Sequence, residues 1–370
     1  MGESKLKRQK SGERLISCAG VQTAGGRVQV RWEADSAATP MGQLAYFIEF
    51  LTLTGSWSGW QERCPLSYTS PNAPSTADVL GTLLLSILSG HRRYSHVTAI
   101  RCDGVNPGLL GMSKVISEDA LRRALLAIPE PDGVAWLDGH LRESTAPLLD
   151  IPWILDIDTT IKPLYGKQEG AVVSYNPHKP GRPSHSYHTY LMAGLRLVMG
   201  VEVKPGNEHS GSHSMPGLLE ILDELPAERR PKIVRGDCGF GSDDLHQCQL
   251  SARAVALIYN WWSLFVRLAS PEARREAITS RPWLMFSVGR RTEHARQTMI
   301  TLTGLHAHFG KAREALTRVS TQLQASAVEA AEQLGLTSVW QLCCEHLKRT
   351  LAAIGPPSFR PFWPGSSHVA

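Results

Sequence analysis

An α/β fold is predicted by three features of the chain. A helical period runs through residues 41–146, a series of short strand-like segments around one amphipathic helix occupies 153–240, and helical periodicity returns after 245. The expected architecture is a mixed sheet between two helical regions. Its divisions are a basic flexible arm at 1–40, a helical domain at 41–147, the sheet-bearing core at 148–244, a helical C-terminal region at 245–355 and a loose Pro-rich tail at 356–370.

The arm is rich in Lys, Arg, Ser and Gly and shows little periodicity, so no chemistry is expected there. Helices are predicted at QLAYFIEFL, at ADVLGTLLLSILSG with a stop at Gly90, and at ISEDALRRALLAI, where Ser117 precedes acidic first-turn residues as an N-cap. The turns between them, such as DGVNPG at 103–108, give a helix-turn-helix-like cluster. In the middle, WILDIDTTI at 153–161 is a continuous apolar run ended by acids. YHTYLMAGLRLVMGVEVKPG reads as two strands, MPGLLEILDEL as an amphipathic helix and KIVRGDCGF at 232–240 as another buried strand. Two further helical stretches come after it, LHQCQLSARAVALIYNWWSLFVRLAS and the segment from about His306 to Ala353.

Composition narrows the function classes. With 370 residues, 42% apolar and 20% charged, the chain is long enough for a sizeable core and is neither low-complexity nor collagen-like. Its longest apolar stretches, Leu80–Leu88 and the interrupted Ala254–Ala269, fall short of the ~20 residues that span a bilayer. The N-terminus lacks the apolar centre of a secretory signal, so a cytoplasmic protein is expected. Seven cysteines without a C-x-x-C pair fit neither a disulfide framework nor a zinc ribbon. The net charge of +5 is unevenly spread: residues 251–350 hold 13 Lys and Arg against 7 Asp and Glu, whereas 151–240 balance at 10 against 10. A basic C-terminal part is the footprint expected of a polyanion partner.

The most informative chemistry is a pair of acids at the ends of buried strands. Asp156 and Asp158 lie two apart and share one face. Asp237 ends the second strand after Gly236, which permits close backbone approach. If the two strands are adjacent and parallel, Asp158 and Asp237 meet at one edge of the sheet, where α/β folds place ligands. Two carboxylates held together repel unless a cation sits between them, and Mg²⁺ suits such hard oxygen donors. The plain alternative is that each Asp caps the turn after it.

His185, His188, His209 and His213, with Cys238, have spacings that superficially suit zinc. An i, i+3 pair on a strand does not share a face, however, and no thiolate pair accompanies the histidines. Arg182 and His185 in KPGRPSH, and Arg92 and Arg93 in GHRRYSH, are candidate phosphate contacts, against the reading that these are solvated basic turns. Trp261 and Trp262 beside Asn260 are read as core rather than as base-stacking residues, and Cys343 and Cys344 as packing.

At these residues the chain resembles the DDE transposases of bacterial insertion sequences, whose catalytic core is ribonuclease H-like. The resemblance lies in LGTLLLSILSGHRRY, SKVISEDALRRAL, WILDIDTTIKPLYGKQEGAVVSYNPHKPGRPSHSYHTY, GNEHSGSH, VRGDCGFGSD and ALIYNWWSLFVRLA, and covers most of the chain from about residue 40 to 300. It implies an incomplete ribonuclease H-like mixed sheet and a DNA-binding role for the N-terminal helical domain. It also implies that Asp158 and Asp237 are the first and second catalytic, metal-binding aspartates, with Mg²⁺ or Mn²⁺ as cofactor. The implied partners are double-stranded DNA, as element terminal inverted repeats and target, and a second copy in a homodimer. The implied location is the bacterial nucleoid, with no membrane association.

The departure is the third acid. In the family a glutamate lies on a later helix, but here Gly241-Ser242-Asp243 passes directly into sequence that resembles the family's region downstream of that helix. Glu276 and Glu293 are the nearest downstream acids and neither takes the role. The expectation is a transposase-family protein for DNA cleavage and strand transfer whose own catalysis is impaired, with the strand carrying Asp237 left as a sheet edge. The alternative is a non-catalytic, DNA-binding or dimerising derivative that inhibits full-length enzyme. A third, weaker reading is a metal-dependent hydrolase of small phosphates.

Overall fold

A computed structural model describes residues 18–31, 36–68, 70, 72–165, 171–173, 179–207, 210–236, 246–272, 275–294, 297–304, 308–333 and 335–354. It is a mixed α/β structure. The stretch expected to be a basic flexible arm contains a hairpin of β1 (Cys18–Thr23) and β2 (Gly26–Arg31), followed by the short β3 (Ala38–Thr39). Gly26 turns the hairpin at φ +110°, a region closed to most side chains.

The N-terminal helices are α1 (Leu44–Leu53), α2 (Ser56–Glu62), α3 (Thr76–Leu88), α4 (Val97–Ile100), α5 (Asn106–Leu109), α6 (Glu118–Leu126) and α7 (Glu130–Thr145). Their ends obey the capping chemistry of the sequence. Ser75 accepts from the Asp78 amide at the start of α3, Ser117 accepts from the Ala120 amide at the start of α6, and Gly90 ends the α3 turn at φ +76°. Two buried aspartates fasten the loops. Asp78 accepts from the Ser113 and Lys114 amides, and Asp103 accepts from the Val105 and Asn106 amides, the Asn106 side chain and the Thr39 hydroxyl. The second network ties β3 to α5, and its donors supply the hydrogen bonds a buried carboxylate needs.

The central sheet is built from β4 (Ile154–Pro163), β5 (Val172–Val173), β6 (Pro183–Met192), β7 (Leu197–Pro205) and β8 (Ile233–Gly236), with α8 (Ser210–Glu224) between the last two. β6 pairs antiparallel with both β4 and β7, and β8 pairs parallel with β4. The two short segments at its start and end are β5, which joins β6, and β8, which pairs with β4 alone among the described strands. Ile233 and Val234 on β8 are 53% and 41% exposed, and among the described residues β8 is an open edge of the sheet.

After the sheet come α9 (His246–Ala269), α10 (Ala277–Leu284), the hairpin β9 (Gly289–His294) and β10 (Gln297–Leu302), α11 (Phe309–Glu332) and α12 (Val339–Ile354). The hairpin corrects the expectation of a purely helical C-terminal region. β9 joins β3 through Ala38 opposite Arg290 and Thr39 opposite Gly289, so the N-terminal segment closes onto the C-terminal part. Gly42 permits that approach, since a Cβ there would lie 2.8 Å from the Ser287 carbonyl oxygen and 2.9 Å from the Gly289 Cα.

One core runs through both helical regions and the sheet, centred on α9. Trp261 and Trp262 are each 2% exposed. Trp261 packs edge-on against Trp60, and Trp262 and Phe265 pack against Phe47. Both tryptophans are core, as the apolar period of the helix predicts. Cys343 and Cys344 are buried in α12, and burial pushes the Cys343 thiol up to about 11. Asn260 has a different role. Its Oδ1 accepts from the Val198 amide at 2.7 Å and its Nδ2 donates to the Val198 carbonyl at 2.7 Å, so α9 completes the backbone pairing of β7.

Candidate functional site

Register divides the sheet into two unlike faces. Leu155 opposite Met192 and Ile157 opposite Tyr190 form a buried face, with exposures of 0, 1, 8 and 1% for Leu155, Met192, Ile157 and Tyr190. The other face carries Asp156, Asp158, Thr160 and Lys162 along β4, with Thr189 opposite Asp158 and Tyr187 opposite Thr160. Asp158, Thr160 and Lys162 are exposed, while Thr189 and Tyr187 are half-buried. The face closes toward β7, where Val201 and Val203 are buried.

Asp156 and Asp158 share this open face as the two-residue strand period requires, but they are not equivalent. Asp156 is held by Arg235 in a two-pronged ion pair, with Nε to Oδ1 at 2.6 Å and Nη2 to Oδ2 at 2.7 Å. The pair is a consequence of the parallel register, which sets residue 156 beside residue 235. In turn the Asp156 carboxylate raises the Arg235 pKa. Asp158 has no ion-pair or hydrogen-bond partner among the described residues. It stands on the open face between Arg235 on one side and Lys162 further along its own strand. Lys162 Nζ lies 5.4 Å from the Tyr187 ring centroid.

The other sequence-predicted residues divide. Asp237 lies outside the described residues, as do Cys238 and His209. Gly236, the residue before Asp237, is the last of β8 and is in register with Ile157, the residue before Asp158. Arg182 is exposed, with its guanidinium stacked 4.5 Å over the Tyr165 ring. Arg92 and Arg93 are exposed on the turn after α3. His185 must be corrected: it is fully buried in β6 between β4 and β7, so its ring is not offered to a phosphate in solvent. His188 is also buried and its Nδ1 lies 3.0 Å from the Thr159 hydroxyl. Glu276 pairs with Arg196 in the β6–β7 turn, at the end of the sheet where Met192 meets Leu155, opposite to the direction in which Asp158 lies. Glu293 pairs with Arg291 in the β3–β9–β10 sheet. Neither acid reaches Asp158, and among the described residues no group of three His, Cys, Asp or Glu side chains gathers to hold a metal ion.

No protein-family model, curated protein or solved structure matches the chain.

A second polar group, without a signal in the sequence, lines a separate cleft of about 510 Å³ between α2, α7, α9 and α12. Arg63 and Glu143 form an ion pair there, and Arg63 Nη2 lies 3.1 Å from His140 Nδ1. A guanidinium only donates, so Nδ1 accepts and the imidazole proton sits on Nε2, which is buried without a partner among the described residues. Burial first, and the Arg63 charge second, push His140 down to about 4. With its lone pair taken and its proton enclosed, this histidine is neither a base nor an acid for a bound molecule. The exposed carboxylate of Asp158 remains the better chemical centre. Its oxygens are of the kind a hard divalent ion takes.

Proposed function

We propose that the chain is a protein of the DDE transposase lineage, with an incomplete ribonuclease H-like sheet, that binds duplex DNA at element ends. The observation that carries the reading is the pairing of β4 and β8. They are adjacent and parallel, and their register ends at Ile157 and Gly236, one residue before each aspartate of the proposed pair. The strand directions support it as well, with β7, β6 and β4 successively antiparallel and β8 parallel to β4. Helices on the N-terminal side supply the proposed DNA-binding region.

In this reading Asp158 and Asp237 would hold Mg²⁺ or Mn²⁺, whose chemistry would be to polarise a phosphodiester and to lower the pKa of an attacking water or 3′-hydroxyl. Lys162 and Arg182 position the DNA backbone, Arg182 with Tyr165 beneath it as a flat support. Arg235 holds the Asp156 carboxylate out of that site. Catalysis is impaired, because the two downstream glutamates are committed to Arg196 and Arg291. That commitment also favours the second reading, a non-catalytic derivative that occupies element ends, dimerises with itself or with full-length enzyme, and inhibits the latter.

The test is nicking of a labelled duplex carrying the element's terminal repeat, with Mn²⁺, beside Asp158→Ala. Retarded but uncut DNA is the expected result. Robust cleavage that Asp158→Ala abolishes would show that another carboxylate completes the site, and cleavage of small phosphoesters without DNA retention would sink the proposal.

A further inference from the structure

The hairpin β1–β2 stands apart from every other sheet. Residues 20–30 are exposed throughout except Gly26, which is half-buried. Among the described residues the hairpin has no third strand and no covering layer, and such a two-stranded ribbon is marginal in water on its own.

Its register sorts the side chains. Val21 opposite Val28, with Thr23 and Val30, make one face, while Gln22 opposite Arg27, with Gly20 opposite Gln29, make the other. By register the polar face carries two arginine positions, Arg27 and, opposite Cys18, Arg31, together with two glutamines, and no acid occurs anywhere in 18–31. Gly20 gives the Arg27 guanidinium its place, since a Cβ there would sit 2.7 Å from Arg27 Nη2. Arg31 ends the strand four residues on, so the two backbone positions are about 13 Å apart at ~3.3 Å per residue. That is close to the ~12 Å width of the DNA major groove, which admits a two-stranded ribbon.

Charge points the same way. Up to the end of β2 the chain holds 7 Lys and Arg against 2 Asp and Glu, a net +5, which equals the net charge of all 370 residues. The remaining 339 residues carry 32 of each sign and sum to zero. Two of those positive charges, Arg27 and Arg31, belong to the ribbon itself, where no acid offsets them, and the rest belong to the sequence that precedes it.

We propose that the β1–β2 ribbon is a second duplex-DNA contact, separate from the sheet face of Asp158, which lays its Gln22, Arg27 and Gln29 face against the sugar-phosphate backbone of the major groove. It rests on the transposase reading only in the choice of DNA as partner. Arginine and glutamine are donors to phosphate and to base edges, and a ribbon reading only the backbone would bind duplexes of any sequence.

The experiment measures binding of full-length protein and of the double variant Arg27→Ala, Arg31→Ala to a labelled duplex of arbitrary sequence over a range of salt. Every phosphate that is no longer neutralised lowers the slope of log K against log salt by about 0.9, so the variant slope falls by about 1.8. Between about 50 and 200 mM salt the advantage of the natural chain over the variant then shrinks about twelvefold. Thermal unfolding of the variant should match the natural chain, because the ribbon joins no other sheet. An unchanged slope overturns the proposal, and so does a variant that loses binding to anionic lipid vesicles or self-association while keeping DNA. Metal-dependent nicking with Asp158→Ala is scored independently, so failure of the catalytic reading and failure of the ribbon are told apart.

Discussion

Arg235 closes both oxygens of Asp156 in a two-pronged ion pair across the parallel β4–β8 strands and leaves Asp158, two residues further along the same face, without a cation partner among the described residues. The two aspartates of one sequence motif are thereby given different jobs, one to dock a strand and one to face solvent. The pair is partly solvated, with Arg235 48% exposed, so its worth to stability is at most about 1 kcal/mol. Arg235→Ala is therefore expected to shift the thermal midpoint by only a few degrees. It frees a second carboxylate beside Asp158, so Mn²⁺ should bind more tightly to the variant. Titration calorimetry that finds equal or weaker Mn²⁺ binding would show that the two acids do not share a site.

Asn260 and Val198 make a second test. Removing the amide with Asn260→Ala leaves a buried N–H and a buried C=O of β7 without partners, each costing about 1–3 kcal/mol. The expected loss is about 2–6 kcal/mol in urea unfolding. A loss below about 0.5 kcal/mol would mean that water replaces the amide and that α9 does not anchor the sheet through this residue.

Legibility in the residues alone tracks burial. Ile154–Pro163 reads as a strand because its apolar side chains are in the core, and Ser117 reads as a cap because its hydroxyl has one local task, accepting from Ala120. The β9–β10 hairpin is hidden because one face is open, with Met299 63% exposed, and the other is only half-covered at Ile300 and Leu302, so no strong apolar period marks it. His185 misleads for the opposite reason. Gly and Pro in KPGRPSH signal a loop, but the strand begins at Pro183 and takes His185 inside. Asn260 carries no signal, since its partner lies 62 residues away and its neighbours are all core-formers. The two-residue spacing puts Asp156 and Asp158 on one face, but the guanidinium that separates their roles depends on a strand register that spacing does not encode.

The open edge of β8 is a liability that one substitution should reduce. Ile233 is 53% exposed at the start of a strand whose outer backbone groups face no described strand. Ile233→Lys adds charge to that edge and removes little buried area. Light scattering at elevated protein concentration should fall while the thermal midpoint stays within about 2 °C, since exposed-site changes rarely exceed ~0.5 kcal/mol. Unchanged scattering would locate self-association elsewhere, with the valines of the β1–β2 ribbon the next surface to alter.

His140 sets an acid limit on stability. Its folded pKa is about 4, against about 6.5 in an unfolded chain. The depressed value means that the neutral ring is favoured on folding, so its contribution is complete above about pH 6.5 and is lost as pH falls toward 4, where the unfolded chain binds the extra proton. A shift of this size corresponds to roughly 3 kcal/mol. The stability difference between the natural chain and His140→Phe should therefore be flat above pH 7 and narrow by up to that amount on acidification. A difference that stays constant from pH 7 to 4 would place the protonation elsewhere.

Asp158 should be the residue through which a divalent ion stabilises the fold. A ligand that binds only the native state adds about 1.4 kcal/mol at ten times its dissociation constant, enough to read as a rise in thermal midpoint. Mn²⁺ is the stronger probe, because it binds nitrogen and oxygen ligands more tightly than Mg²⁺ binds the same site and dehydrates more readily. The natural chain should gain that increment in millimolar Mn²⁺, and Asp158→Asn, which keeps the shape and loses the charge, should gain none. Asp156→Asn separates position from chemistry: with Asp156 committed to Arg235, its loss should leave the Mn²⁺ increment in place. An increment that survives Asp158→Asn would move the cation to another part of the molecule and detach the open sheet face from metal chemistry.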